Sequence, residues 1–172
     1  MDIMYGTFDD TSADLLARNT LQLNTEYLYG LGEMPSSWSP AALQAQVIAA
    51  RSYALVRYNK YPSLRSNCQC HVYANTNDQV FSGYSKESGS YGDKWVAAVN
   101  ATGDGTNFKI AKFNGGVVDA YFSSSTGGAT SPVSEVWGST GYPYLTRADD
   151  AWALSPDVRN PYASWSVAIS QG

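Results

Sequence analysis

The chain has 172 residues and a mass of 18.6 kDa, the size of one ordinary domain. Hydrophobic residues make up 44% of it and charged residues only 15%, which argues against a disordered chain, a coiled coil or a charged tail. The formal net charge is −4, and the 11 Lys and Arg residues never form a run. We therefore expect a single domain over residues 1–172 and no nucleic-acid partner.

Histidine occurs once, at position 71, and this limits the chemistry available to the chain. Zinc sites with two His ligands are excluded. A Cys-His pair would join His71 to Cys68 or to its neighbour Cys70, and side chains so close in sequence rarely aim at one shared point. Carboxylates are therefore the favoured catalytic groups. The two cysteines themselves could form a tight disulfide, remain thiols or belong to a metal site.

The sequence also indicates where the chain works. No stretch approaches the roughly 20 apolar residues that span a bilayer, and the first residues lack a secretion signal, so we expect no transmembrane segment. A composition with 13 Tyr, 5 Trp and 15 Gly suits a protein that handles sugars or lies outside the cell.

The first segment with clear patterning, 11–31, mixes helix formers with apolar residues. It predicts a strand or extended segment followed by a short helix near 24–31, which Gly30 and Gly32 end.

The strongest helical signal begins at Ser39 and Pro40, which have the residue types of an N-cap and a first helical residue. Apolar residues then recur at steps of four and three, which predicts a helix over 40–59, ended by Pro62. The residues with this spacing are Leu43, Val47, Ala50, Ala54 and Tyr58. The helix also carries many small side chains, which allow another backbone to approach closely, so we predict that it lies at the centre of the fold. These residues are Ala41, Ala42, Ala45, Ala49, Ala50 and Ala54.

Shorter elements follow. We predict strands at 72–73 and 79–83 and a helix over 93–101. Alternating residues on both sides of Asn114-Gly115 predict a hairpin, with strands in 108–113 and 116–122.

The remainder of the chain, from 123 onward, is predicted as loop with short strands. These elements predict an α+β fold: a single domain with a central helix rich in small residues, packed on antiparallel strands and hairpins, with long loops.

One carboxylate occupies a distinctive place. Glu33 lies between a glycine-ended helix and Pro35, with Leu31, Met34 and Trp38 close in sequence. Desolvation by such neighbours would raise the pKa of Glu33 toward the range in which a carboxylic acid donates a proton at neutral pH. The alternative interpretation is a surface glutamate or a helix cap.

Several blocks of sequence resemble one known family. Residues 27–38, Tyr-Leu-Tyr-Gly-Leu-Gly-Glu-Met-Pro-Ser-Ser-Trp, and 40–54, which begin Pro-Ala-Ala-Leu-Gln-Ala-Gln, closely resemble the signature of the stage II sporulation protein D / LytB family. Residues 70–73 are similar to its Cys-Gln-x-Tyr block, and 120–128 to its later Ser/Gly-rich block. The resemblance covers about residues 24–165.

The resemblance implies a peptidoglycan lytic transglycosylase outside the cell or in its wall. Such an enzyme cuts between N-acetylmuramic acid and N-acetylglucosamine and leaves a 1,6-anhydro-muramyl end. Glu33 would act first as general acid and then as base, with no cofactor. A hydrolase needs a second carboxylate, whereas here the muramyl C6 hydroxyl attacks its own anomeric carbon, with an effective molarity of about 10⁵ M or more. The implied partners are glycan strands and a cell-wall amidase.

The resemblance also implies substrate-binding residues, each with a structural alternative. Ser/Gly runs are often plain loops, Arg51 could be a buried ion partner, and large aromatics such as Trp38 and Trp137 are more often core. The implied substrate-binding residues are Arg51, Tyr121, Ser123, Ser124, Ser125, Thr126, Gly127 and Gly128.

The chain departs from the family in two places. Some members bind zinc through two Cys and two His, but Cys68, Cys70 and His71 supply at most three ligands, and structural zinc takes four. We therefore expect no metal and rank a disulfide or free thiols above a zinc site. The family's C-terminal glycine- and histidine-rich block is missing after Ser170, which suggests a shortened or divergent member.

Two rival functions remain. LytB-type relatives are described as amidase enhancers, so the chain could be a wall module that binds glycan or an amidase without cutting. A glycoside hydrolase would need a second carboxylate, for which Asp119 and Glu135 are the later candidates.

Overall fold

The computed structural model describes residues 2–4 by their backbone and residues 18–158, 160–164 and 166–168 in full. Helices and small sheets combine in an α+β fold, as predicted. The chain forms two compact units, residues 1–120 and residues 121–172, which we call unit 1 and unit 2. No helix in the described part of the chain is long and apolar enough to cross a bilayer. The one-domain organisation stays a prediction.

Helix α1, Pro40–Lys60, is the central element of unit 1 and confirms the predicted helix. Ser39 is its N-cap, and the Ser39 hydroxyl accepts a hydrogen bond from the Ala42 N–H. The predicted apolar face is buried at Leu43, Val47, Ala50 and Ala54. Two details of the prediction were wrong.

The first error concerns Tyr58, which is 47% exposed because the last three residues of α1 extend beyond the core. Its ring packs on the His71 ring, with centroids 4.7 Å apart. The second concerns Ala41 and Ala45, which were predicted to allow close approach of another backbone. Both residues are exposed to solvent.

The core of unit 1 lies between α1, helix α3 (Gly92–Asn100) and a π-helical turn at Leu23–Tyr27. α3 confirms the predicted helix to within one residue at each end. The π-helical turn continues to Tyr29 as an α-helical turn and ends at Gly30, close to the prediction. Each fully buried aliphatic side chain contributes about 1.5–3 kcal/mol. The core residues are Tyr27, Leu28, Leu31, Leu43, Val47, Ala50, Ala54, Val72, Trp95, Ala98 and Val99.

A three-stranded sheet covers part of unit 1. Strand β1 (Asp2–Met4) pairs antiparallel with β2 (Arg18–Thr20) and parallel with β3 (Val72–Tyr73). β3 confirms the predicted strand at 72–73.

The predicted strand at 79–83 was wrong. In this segment only Phe81 forms a bridge, with Leu31. The ladder does not extend because the Val80 N–H is bonded to the Glu33 side chain and not to a main-chain carbonyl. A Cβ on Gly30 would lie 2.4 Å from the Phe81 ring, so only glycine allows this close approach. The sequence also missed helix α2, Tyr84–Ser88.

A hairpin ends the regular part of unit 1, as predicted, although its strands are short. β4 (Lys112–Phe113) pairs with β5 (Gly116–Val117). Asn114 and Gly115 both have positive φ, 47° and 82°, as a type I′ turn requires.

Unit 2 contains one short helix, α4 (Val133–Trp137), and 3₁₀ turns at Ala151–Leu154 and Pro156–Val158. Residues 123–128 form a loop, as predicted. The predicted short strands were wrong, since pairing in the described part of unit 2 is limited to a bridge between Ala129 and Asp149.

Candidate active site

Glu33 is held against Val80 by two hydrogen bonds, one to its own side chain and one from the preceding residue. Its Oε1 accepts a hydrogen bond of 2.6 Å from the Val80 N–H, and the Gly32 N–H donates to the Val80 carbonyl at 2.9 Å. The side chain is partly buried, and this desolvation raises the pKa of Glu33, while the Val80 N–H lowers it by a smaller amount. The predicted direction of the pKa shift is therefore confirmed.

The surroundings that the sequence predicted for Glu33 are present in part. Leu31 is fully buried in the core, and Met34 packs against the core while partly exposed. Trp38, by contrast, is 50% exposed. Burial of Glu33 therefore comes from the core side and from the segment around Val80.

Below Val80, the preceding residue Gln79 is fully buried. Its Oε1 accepts a hydrogen bond of 2.8 Å from the Tyr27 hydroxyl, and the Tyr27 ring stacks on Phe81 with centroids 5.7 Å apart. The residues on both sides of Val80, which donates to Glu33 Oε1, are thus anchored to the core.

Asp78 is the centre of a buried polar network that sequence reasoning missed. Its carboxylate accepts hydrogen bonds from the Tyr53 hydroxyl at 2.8 Å and from two Arg65 nitrogens at 2.8 and 2.9 Å. The Tyr73 N–H donates at 2.8 Å, and Arg57 Nε lies 3.5 Å away. Desolvation and the Asp78 charge raise the pKa of Tyr53. No local signal marks Asp78, because these partners are 5 to 25 residues distant in sequence.

Lys86 on α2 is a second residue that the sequence did not single out. Its Nζ donates a hydrogen bond of 2.5 Å to the carbonyl of Met34, the residue after Glu33, and lies 5.0 Å from the centre of the Trp95 ring. Burial lowers the pKa of Lys86. A cation therefore supports the backbone that carries Glu33.

Arg51 lies in the interior of unit 1, with 1% of its surface exposed. Its three guanidinium nitrogens donate to Asn24 Oδ1 at 2.9 Å, the Lys109 carbonyl at 2.8 Å and Thr102 Oγ1 at 2.9 Å. Desolvation lowers the pKa of Arg51 to about 10. Of the alternatives raised by the sequence, burial is the one observed, with neutral acceptors in place of an ion partner. This geometry does not support the substrate contact implied by the resemblance.

The implied glycan-binding residues of unit 2 begin at Tyr121, which is half-buried in an aromatic cluster. Its ring lies 5.1 Å from that of Trp137 and 5.8 Å from that of Tyr142, and Tyr142 in turn contacts Tyr144 at 6.1 Å. Trp137 remains 63% exposed, so most of this indole faces solvent.

The Ser/Gly-rich segment itself is partly open and partly anchored. Ser123, Ser124 and Gly127 are exposed. The Ser125 hydroxyl accepts a hydrogen bond of 2.8 Å from the Asn160 side chain, and the Thr126 hydroxyl donates to an Asp150 oxygen at 2.8 Å. The Gly128 carbonyl accepts from the Asp150 N–H at 2.8 Å.

The two cysteines form a disulfide with each other. This settles the alternatives left open by the sequence, since neither Cys68 nor Cys70 is a free thiol or a thiolate ligand. Within the described ranges, no group of three or more His, Cys, Asp or Glu side chains could hold a metal ion.

The candidate second carboxylates occupy different environments. Asp119 is 3% exposed, and its Oδ2 lies 3.0 Å from an Arg57 nitrogen in a buried ion pair. This position does not suit a nucleophile or a base that must meet substrate. Glu135 is exposed on α4, in unit 2.

The family model of the stage II sporulation protein, SpoIID, matches residues 11–106. The chain belongs to this family. The resemblance given by its motifs is thereby confirmed. This SpoIID-family chain is similar to the amidase enhancer of Bacillus subtilis (strain 168), with 33% identity over 139 residues. The aligned residues cover 81% of the chain and 16% of that protein.

A second relative is an uncharacterised protein of Brachyspira hyodysenteriae. It is 32% identical over 149 residues, which cover 83% of the chain and 35% of that protein. This SpoIID-family chain therefore spans about a sixth and a third of the lengths of these two relatives.

Proposed function

We propose that the chain is a lytic transglycosylase that cleaves between N-acetylmuramic acid and N-acetylglucosamine in peptidoglycan glycan strands. The observation that carries the proposal is the environment of Glu33: a partly buried carboxyl with a raised pKa, inside the Gly-Glu-Met-Pro motif of the family. A raised pKa keeps a larger fraction of the carboxyl protonated near neutral pH, as a general acid requires.

The hydrogen bond from Val80 assigns different tasks to the two oxygens of Glu33. Because Oε1 accepts the Val80 N–H, the acidic proton is carried on Oε2. That proton passes to the glycosidic oxygen while the bond from this oxygen to the muramyl C1 breaks. The C6 hydroxyl then bonds to C1, and its proton returns to Oε2. The products are a 1,6-anhydro-muramyl end and a free N-acetylglucosamine hydroxyl, with no water consumed.

Unit 2 supplies groups suited to a neutral sugar chain. Exposed hydroxyls at Ser123 and Ser124 can bond acetamido and hydroxyl groups, and the backbone at Gly127 is open to close approach. The exposed Trp137 ring, supported by Tyr121, offers a flat apolar surface for a pyranose ring. These residues form the proposed glycan-binding surface, and the protein is proposed to act outside the cell or in its wall.

A second candidate function is a non-catalytic module that binds glycan or stimulates a cell-wall amidase. The name of the Bacillus subtilis relative favours it. A plain glycoside hydrolase is less well supported, because the buried ion pair with Arg57 occupies the carboxylate of Asp119.

The deciding experiment compares the wild type with Glu33→Gln on purified glycan strands, with and without stem peptides, by mass spectrometry. Glu26→Gln is the matched control, since Glu26 also accepts a backbone N–H, from Gln22 at 2.7 Å, but is exposed. We expect anhydro-muramyl ends from the wild type and the control, and a loss of about 100-fold or more in Glu33→Gln.

Three other outcomes would contradict the proposal. Unchanged cleavage by Glu33→Gln would remove Glu33 from the reaction. Reducing ends in place of anhydro ends would identify a hydrolase. Glycan that pellets with all three proteins and stays uncut would favour the non-catalytic module, which an amidase-stimulation assay would then test.

A further inference from the structure

Three successive residues, 78–80, connect the buried polar network to Glu33. The Asp78 carboxylate belongs to the network, the Gln79 side chain is bonded to Tyr27, and the Val80 N–H donates to Glu33 Oε1. Only Gln79 separates Asp78 from Val80, and its side chain is fully buried and bonded to Tyr27, so this short segment has little freedom to absorb a displacement of Asp78. A hydrogen bond weakens steeply when its angle or length departs from the favourable range.

Asp78 is held from three directions. Tyr53 and Arg57 reach it from α1, the Tyr73 N–H from β3, and Arg65 from the loop before β3. The Arg65 contact is bidentate, with one guanidinium nitrogen on each carboxylate oxygen. With its side chain 1% exposed, Asp78 has little freedom to shift while these partners remain.

Two backbone hydrogen bonds close the loop of residues 65–70, which carries Arg65. The Arg65 N–H donates to the Cys70 carbonyl at 3.0 Å, and the Gln69 N–H donates to the Arg65 carbonyl at 2.7 Å. The disulfide between Cys68 and Cys70 adds a covalent link within the last three residues of this loop. This closed loop fixes the backbone from which the Arg65 guanidinium reaches Asp78.

We propose that Asp78 is a positioning residue for Glu33: clamped by Arg65, it holds the Val80 N–H against Oε1 and thereby fixes the orientation of the carboxyl. The inference rests on the proposed role of Glu33. It predicts that loosening Asp78 slows the chemical step without weakening glycan binding, because the Asp78 side chain is 1% exposed and is not accessible to the glycan.

The test uses the full chain labelled with ¹⁵N and the variant Asp78→Asn, which keeps the size of the side chain and removes its charge. Asp119→Asn is the matched control, since Asp119 is also buried and pairs with Arg57. This variant perturbs Arg57, which Asp78 shares, but leaves the bidentate contact between Arg65 and Asp78 in place. The primary measurement is hydrogen exchange of the Val80 amide relative to that of Ala54 in the core. This ratio separates local loosening from a global loss of stability.

We expect the Val80-to-Ala54 ratio to rise about tenfold in Asp78→Asn, which corresponds to about 1.4 kcal/mol, and to stay unchanged in Asp119→Asn. The kcat of glycan cleavage should fall with KM unchanged. Arg65→Lys, which keeps the charge and loses the bidentate contact, should change both quantities in the same direction and serves as the test if Asp78→Asn does not fold.

An unchanged ratio in the folded variants, or an equal rise in Asp119→Asn, would overturn the proposal. Failure of the proposed function is a separate result. If the wild type cuts no glycan, the transglycosylase assignment falls, while the exchange ratio still decides whether Asp78 positions the Val80 N–H on Glu33.

Discussion

Glu33 Oε1 accepts a hydrogen bond from the backbone N–H of Val80 across 47 residues of sequence. The carboxylate takes the place of a main-chain acceptor, next to the bond from the Gly32 N–H to the Val80 carbonyl. This arrangement holds one carboxyl oxygen still while burial disfavours the charged form. Glu33 therefore prevents the bridge between Leu31 and Phe81 from extending into a strand, and the same residue forms the candidate active site.

The raised pKa of Glu33 predicts a pH-dependent cost to stability. The folded state holds the Glu33 proton more tightly than the unfolded chain, so the free energy of unfolding falls as pH rises from the unfolded pKa through the folded pKa. Glu33→Gln removes this loss and keeps an oxygen for the Val80 N–H. Its free energy of unfolding should rise relative to wild type as the pH increases above about 4.3, the ordinary pKa of glutamate, measured by urea unfolding.

Glu26→Gln provides the control for this measurement, because Glu26 is exposed. Comparison of the two variants separates the effect of burial from the effect of replacing a carboxylate by an amide. A difference between Glu33→Gln and wild type that does not change with pH would show that burial does not shift the ionisation of Glu33.

The parts of the fold predicted from the sequence are those with local causes. Helix α1 has its N-cap at Ser39, its stop at Pro62 and its apolar spacing all within one segment. The hairpin follows from Asn114 and Gly115, which adopt positive φ. Elements of five residues, such as α2, carry too few turns for a periodic signal.

The candidate site was predictable only where a motif marked it. Glu33 is in a loop motif that the sequence displays, whereas the roles of Asp78 and Lys86 depend on contacts across 5 to 52 residues. For Arg51 the motif implied a substrate contact, which stays a prediction, while its acceptors at Asn24, Thr102 and Lys109 hold it in the interior. Tertiary contacts, which no local pattern encodes, decided all three.

Arg51→Leu should destabilise unit 1 by about 3 kcal/mol, since the buried Thr102 hydroxyl and the partly buried acceptors on Asn24 and Lys109 lose their donors. Arg147→Leu is the control. Arg147 pairs with Asp149 at 3.6 Å, and both side chains are exposed to solvent. Loss of this ion pair should change the free energy of unfolding by about 0.5 kcal/mol or less. Urea unfolding measures both. Weaker glycan binding by Arg51→Leu at unchanged stability would restore the substrate contact.

Reduction of the disulfide should lower the free energy of unfolding by about 1.5 kcal/mol, because the loop closed by Cys68 and Cys70 contains only three residues. The measurement is urea unfolding with and without a phosphine reductant. A Cys68→Ser/Cys70→Ser double variant should show no response to the reductant. A response in that variant would mean that the reductant acts elsewhere.

The two glycines of the Ser/Gly-rich loop should differ in their tolerance of a side chain. Gly128 has a φ of +106°, and a Cβ there would lie 2.7 Å from Leu154 Cδ1. Gly127 has a φ of +64°, and a Cβ there would lie 4.0 Å from the Ala163 carbonyl oxygen, an ordinary contact distance. We expect Gly128→Ala to lower the free energy of local opening by about 2 kcal/mol and Gly127→Ala by about 1 kcal/mol. Hydrogen exchange at the Asp150 amide, which donates to the Gly128 carbonyl, reports this opening. Equal effects of the two substitutions would show that neither the φ of Gly128 nor its contact with Leu154 restricts this loop.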